Sequence, residues 1–322
     1  MVLPGKIEIR SVGSARLPLP RVALGCGSFG GLGSQTRLFG HGLDDQQADA
    51  LMDAAWELGI THFDTADAYG GGRSERAIGR WIRSRGVRPT LTTKTFNPMQ
   101  EGADRGLAPE RIARQLPLSL ERLGVQSVEL YLAHDYDPEV PLRDSLGALA
   151  ELAADGVIGA YGVSSFDGHQ LRAALAAGAP AAVQNNYSLL HRDDEADVLP
   201  VCARHGLAYL VYSPLSGGWL TGRYRRGQAY PPDSRMATFP RPYEPLVTAG
   251  TFSALERLEA FAAGRGATMA GVALAWLLGD ERVTQIVVGP GRAEHLAPVA
   301  EALDRPLSAA ERAEVSGIFD RQ

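Results

Sequence analysis

"VELYLAHDYDPEVPLRDSLGALAELAADGVIGAYGVSS", residues 128–165, decides the fold. It opens on a mostly apolar run, 128–134, that ends in His134. Apolar residues at helical spacing follow over 141–154 and close on Gly156, a residue suited to a helix end. A second short run, 159–165, comes directly after. Strands buried on both faces read as near-continuous apolar runs without strict alternation. The stretch therefore predicts a strand, a crossover helix and a parallel strand.

The same rhythm extends in both directions. Further strands are predicted at 21–25, 61–66, 90–95, 181–187, 207–213 and 284–290. Helices are predicted at 44–58, 75–85, 109–123, 168–177, 195–205, 251–263, 268–279, 292–303 and 308–320. Eight strands alternating with helices, with no linker or shift in composition, predict an α/β fold: one (β/α)8 TIM barrel over residues 1–322. Residues 7–20 read as a β-hairpin that plugs the barrel's bottom. A long loop, 214–250, follows the seventh strand, and loops of that length are usually functional or mobile.

The bulk properties exclude several classes. The formal net charge is −5 and the sequence pI is near 5.8. That is no footprint for nucleic acid or an anionic membrane surface. Cys26 and Cys202 are the only cysteines, and free thiols fit a cytoplasmic protein. The start, "MVLPGKIEIR", lacks the apolar core of a signal peptide, and no stretch is long enough to span a bilayer. No His or Cys spacing suits a metal site.

The polar residues are placed more informatively. Asp64, Lys94, His134, Ser164, Gln184 and Ser213 stand at the C-terminal ends of predicted strands whose interiors are apolar. A barrel gathers those ends onto one face, where barrel enzymes place their chemistry. Lys6 and Lys94 are the only lysines among 32 basic residues. A lysine kept at a strand end suggests a task a guanidinium cannot perform. Tyr69 follows Asp64 by five residues. A buried ammonium favours phenolate and is expected to lower the Tyr69 pKa, with Asp64 holding the lysine charged. His134 would hydrogen-bond an oxygen held near Tyr69. Asp64, Tyr69, Lys94 and His134 thus read as a proton donor and polariser for a carbonyl. Taken singly, Tyr69 could begin a turn and His134 could be a satisfied core histidine.

"GCGSFG" (25–30) matches a dinucleotide-binding fingerprint, but a loop follows where a helix should open, so the Rossmann reading fails. These glycines are expected to bend the backbone at the barrel mouth.

Over essentially its full length the chain resembles the aldo-keto reductases. "FDTADAYGGGRSERAIG", "TTKTF", "YLAHDYDP", "GAYGVSSF", "VQNNYSLLHR" and "YSPLSGGWLTGRY" match the family's blocks in order. The last is similar to bacterial members and to potassium-channel β subunits. The resemblance implies reduction of aldehydes or ketones by hydride transfer from NAD(P)H. It makes Tyr69 the general acid, tuned by Lys94 and Asp64, with His134 orienting the substrate. It assigns the nicotinamide carboxamide to Ser164 and Gln184, with Ser165 where the family usually has Asn, and ring stacking to Tyr212. Backbone around Ser213, Leu215, Gly217 and Leu220 would hold the pyrophosphate, and Gly289 would also meet the cofactor. Arg292 and His295 would meet the adenosine phosphate, which favours NADP(H) over NAD(H). Pro298 and Val299 stand where the family often has Glu-Asn.

The substrate pocket is expected to draw on Phe29, Phe96, Tyr136 and Trp219. Aromatic walls suit apolar or aromatic aldehydes. The chain ends soon after its last helix, so an open, permissive site is expected. The partner is a small-molecule carbonyl, with neither nucleic acid nor membrane; the oligomeric state stays open. Two alternatives remain: an NADPH-binding regulatory subunit with slow turnover, and an aldolase with Lys94 as Schiff-base former.

Overall fold

A computed structural model describes residues 9–12 and 17–320. Strand β1 (Ile9–Val12) pairs antiparallel with β2 (Leu17–Pro20). This is the predicted hairpin; its residues 7, 8 and 13–16 lie outside the described residues. Then come β3 (Val22–Gly25), β4 (His62–Asp64), β5 (Thr90–Thr95), β6 (Val128–Ala133), β7 (Ile158–Ser164), β8 (Ala182–Asn186), β9 (Ala208–Tyr212) and β10 (Gln285–Val288). These eight close into a barrel in chain order, every neighbouring pair parallel, with β10 returning to β3. Parallel closure leaves no strand edge exposed.

The helices are α1 (Asp45–Glu57), α2 (Arg73–Arg85), α3 (Pro109–Leu123), α4 (Leu142–Ala154), α5 (Gly168–Ala177), α6 (Val198–His205), α7 (Arg235–Thr238), α8 (Ala249–Gly264), α9 (Met269–Leu278), α10 (Ala297–Asp304) and α11 (Ala309–Ile318). Their ends follow local chemistry. Reciprocal capping boxes, Asp44 with Gln47 and Asp167 with Gln170, start α1 and α5; such a cap is worth about 1 kcal/mol. The predicted helix 292–303 divides at Leu296, where Pro298 opens α10 as a fresh helix. The predicted start at 195 moves to Val198, behind a short 3-10 turn at Asp193–Glu195.

Leu19 of the hairpin is fully buried against Leu130, Ala160, Ala182 and Ala208, residues near the N-terminal ends of the barrel strands. The hairpin therefore closes the bottom. A polar group lies beside these residues, where Gln285 Nε2 donates to the Pro20 carbonyl of the hairpin at 2.6 Å. His62 Nε2 contacts Thr92 Oγ1 at 2.8 Å and its Nδ1 contacts Gln285 Nε2 at 2.8 Å. Burial, aided by Lys94, brings the His62 imidazole down to about 3, so it stays neutral in the barrel. No single helix among the described residues is long and apolar enough to cross a membrane.

Candidate active site

The six polar residues predicted to share a rim do so. Asp64 closes β4, Lys94 is the penultimate residue of β5, and His134 follows β6. Ser164 ends β7 directly opposite Gln184 of β8, and Ser213 follows β9.

Lys94 is fully buried and its Nζ donates to Asp64 Oδ1 at 2.5 Å and to the Thr65 carbonyl at 2.9 Å. Gln184 Nε2 donates to the second carboxylate oxygen, Asp64 Oδ2, at 2.8 Å. Burial alone would lower the ammonium, but Asp64 and Tyr69 outweigh it and hold Lys94 above its ordinary value. The lysine is charged in a place where water does not screen it.

Its Nζ lies 5.2 Å from the centroid of the Tyr69 ring, and Tyr69 Oη lies 3.4 Å from His134 Nε2. The two rings meet edge to face at 5.4 Å. The expected net lowering of the Tyr69 pKa is corrected here. Burial pushes the phenol above its ordinary value; Lys94 pulls it back only in part, and Asp64 adds to the rise. A phenolate loses its hydration in this pocket, and that loss exceeds the lysine's attraction while Asp64 neutralises the lysine. Tyr69 therefore holds its proton at neutral pH. Burial, then Lys94, keeps the His134 imidazole well below its ordinary value, so the ring is neutral.

"GCGSFG" forms the turn leaving β3. A Cβ on Gly27 would stand 3.5 Å from the Tyr69 ring, and Gly30 takes a left-handed φ of 68° against Arg73. The segment does line the mouth beside Tyr69.

On the opposite side of the rim, Tyr212 Oη lies 3.4 Å from Ser165 Oγ. Ser165 has φ 61°, a left-handed conformation that Asn tolerates better than Ser. Beyond Tyr212, Ser213, Ser216, Gly217 and Gly218 all take positive φ. Successive turns of this kind bring amides round one concavity and suit an anion. Leu215 is half-buried and Leu220 fully buried within that turn. Gly289 is exposed just past β10. Arg292 Nε donates to His295 Nε2 at 2.9 Å, and both residues are exposed. Burial, then Arg292 and Arg223, lowers His295. Arg223 and Arg292 thus bring positive charge to a neutral His295 on an acidic chain, with Arg223 paired to Asp233. This rim could hold a nicotinamide dinucleotide: it offers an anion turn, two arginines beyond it, Ser164, and the side-chain oxygen of Gln184, whose nitrogen is taken by Asp64. Val299 is buried in α10 and offers it no polar group.

The expected substrate walls divide. Phe96 is 9% exposed, and Tyr136 is half-buried with its ring edge to face on Phe166 at 5.5 Å. Phe29 and Trp219 are corrections, because both are fully buried. Phe29 packs in the turn that bridges to Leu43. Trp219 packs against Tyr224 at 5.0 Å and Phe252 at 5.5 Å, covered by α8. Burial of a large aromatic at either place supports the loops and leaves no face for a ligand.

Several groups were not legible in advance. Buried Asp67, Thr95 and Arg111 and half-buried Asn97 form a polar set behind Tyr69 and His134. None has a revealing spacing, since Asp67, the β5 exit and Arg111 of α3 lie far apart in the chain. Arg223 stood in a visible basic loop, yet Arg225 and Arg226 of that loop pair with Glu259 and Glu256 instead.

Comparison with known proteins agrees with this geometry. The family model for the aldo/keto reductase family matches residues 21–320. The chain is 32% identical over 317 residues to an L-glyceraldehyde 3-phosphate reductase of Escherichia coli O157:H7, covering 93% of this chain and 88% of that one. It is 29% identical over 280 residues to a probable voltage-gated potassium channel subunit beta of Oryza sativa, covering 83% and 84%. Among solved structures, a glycerol dehydrogenase from Gluconobacter oxydans superposes with a TM-score of 0.82 at 28% identity, covering 97% of this chain and 94% of that one. With its closed parallel barrel and its polar rim, this chain belongs to the aldo/keto reductase family.

Proposed function

We propose that the chain is an NADPH-preferring carbonyl reductase, one catalytic domain over residues 1–322, with Tyr69 as its proton donor. The observation that supports this best is the convergence of half-buried Tyr69 Oη and His134 Nε2 on the buried Lys94–Asp64 pair at one corner of the rim. A reduced nicotinamide supplies the hydride when bound. Ser164 and the side-chain oxygen of Gln184 would hold its carboxamide, Tyr212 would stack on its ring, and the turn at Ser213–Leu220 would take the pyrophosphate. His134 Nε2–H orients the substrate oxygen. Tyr69 Oη gives that oxygen its proton, and the resulting phenolate lies beside the Lys94 ammonium. That charge pairing lowers the cost of the transfer in a site where water is excluded.

Lys94 is an ammonium fastened by two acceptors, not the free amine that a Schiff base requires, which weighs against the aldolase reading. The substrate is a small carbonyl compound whose pocket uses Phe96 and Tyr136. A tyrosine-to-phenylalanine variant at 69, assayed by NADPH oxidation across aldehydes, ketones and sugars, tests the reading. Cofactor binding with negligible turnover for every carbonyl would favour the regulatory alternative.

A further inference from the structure

Asn97 lies three residues past Lys94, just beyond the end of β5, and its amide nitrogen Nδ2 stands 3.4 Å from His134 Nδ1. An amide nitrogen donates and does not accept. Nδ1 is therefore the acceptor. Neutral imidazole carries a single ring proton, so that proton sits on Nε2. Nε2 is the nitrogen that faces Tyr69 Oη at 3.4 Å.

Asn97 is itself held from behind. Arg111 of α3 is 3% exposed; its Nη2 donates to the Asn97 carbonyl at 2.9 Å, and its Nη1 donates to Thr95 Oγ1 at 2.6 Å and to the Gly106 carbonyl at 3.1 Å. Thr95 Oγ1 passes its proton's hydrogen bond to Asp67 Oδ2 at 2.7 Å. One guanidinium thus fastens the exit of β5, the start of the next loop and, through Thr95, the turn that carries Tyr69. A planar fork with donors in several directions does this; a single ammonium could not.

We infer that Asn97, anchored by Arg111, is a positioning residue that fixes the ring proton of His134 on Nε2. The consequence for turnover rests on the reductase reading above. With the proton on Nε2, the imidazole donates to the oxygen in front of it and Tyr69 keeps its own proton for the substrate. With the proton on Nδ1, Nε2 would accept from Tyr69 Oη and hold the proton that the acid must release. A histidine in the wrong tautomer loses its role even when its position is kept.

The test is long-range proton–nitrogen NMR on histidine-labelled, cofactor-free chain, with the His134 signals assigned by their loss in His134→Gln. The parent should show Nε2 protonated and Nδ1 bare. Asn97→Asp presents only acceptor oxygens, so the proton should move to Nδ1 or both nitrogens should carry one. Aldehyde turnover should then fall about tenfold or more, with NADPH affinity nearly unchanged. Asn97→Ser keeps a donor and should retain the parent pattern and most of the rate. Should Asn97→Asp fail to fold, Asn97→Leu must still shift the Nδ1 resonance by removing its donor. A parent ring protonated on Nδ1, or variants whose ring signals match the parent's, overturns the inference. The spectra need no turnover, so failure of the reductase reading would remove only the rate arm.

Discussion

Lys94 and Asp64 are joined at 2.5 Å, with the lysine side chain fully buried and the aspartate 5% exposed. Two elements, β4 and β5, are thereby tied at the centre of the site. Removing one partner of a buried pair leaves the other charge uncompensated and typically costs 3–5 kcal/mol. Asp64→Asn should lower the unfolding free energy by about 3 kcal/mol in urea titration. Asp64→Asn combined with Lys94→Met should cost clearly less than the sum of the single changes. Strict additivity would show that the two charges do not interact.

Tyr69→Phe removes the proposed proton donor and keeps the ring beside Gly27 and His134. Turnover should fall by roughly 10²–10⁴-fold, the range for a positioned acid. The NADPH dissociation constant, read by fluorescence, should change little. Aldehyde reduction at the parent rate would remove Tyr69 from the mechanism.

Burial raises the Asp67 carboxyl to about 7; a hydrogen bond from Thr95 opposes this and Glu75 adds to it. The fold therefore favours the protonated acid. This group's stabilisation is whole below its unfolded value of about 4 and is lost as pH rises to about 7. Asp67→Asn should gain on the parent across that window, by at most about 1.4 kcal/mol per pH unit, then level off. Urea midpoints of both chains from pH 4 to 8.5 check this. A pH-independent difference would mean that Asp67 does not titrate there.

Asp135 follows His134 at the end of β6, and its carboxylate takes the Tyr136 amide at 2.9 Å. After burial, its charge is among the causes that raise Tyr212 across the mouth. A carboxylate there should disfavour anionic carbonyls. Asp135→Asn should raise kcat/KM for 4-carboxybenzaldehyde relative to benzaldehyde by roughly fivefold, the scale of one partly screened charge pair. The gain should shrink at high salt. An unchanged ratio would place Asp135 outside the substrate's reach.

Arg292 and Arg223 crowd positive charge beside His295. Arg292→Ala should weaken NADPH about tenfold and NADH little, because a guanidinium pairs strongly with the extra phosphate. Equal weakening of both, measured by fluorescence titration, would assign Arg292 to a shared part of the cofactor.

The alternation of short apolar runs with helical periodicity was enough for the barrel, because buried parallel strands and amphipathic helices leave their periods in the chain. It also placed Asp64, Lys94, His134, Ser164 and Gln184, since strand ends in a barrel share one rim whatever fills the loops. Tyr69 was found by its distance from Asp64. Local pattern could not show that Trp219 turns inward to Tyr224, because loop packing depends on distant residues such as Phe252.

The sequence by itself determined the eight-strand order, the hairpin and the meeting of Asp64, Tyr69, Lys94 and His134 at one rim, because those follow from local period and from which residues end strands. Only the tertiary structure decided the charge balance: Tyr69 stays a phenol because desolvation there exceeds the pull of a lysine already neutralised by Asp64. It also decided that Asn97 meets His134, a contact made when β5 and β6 lie side by side and α3 closes behind them. Desolvation and such contacts are sums over neighbours brought from many parts of the chain, and no single stretch of sequence carries them.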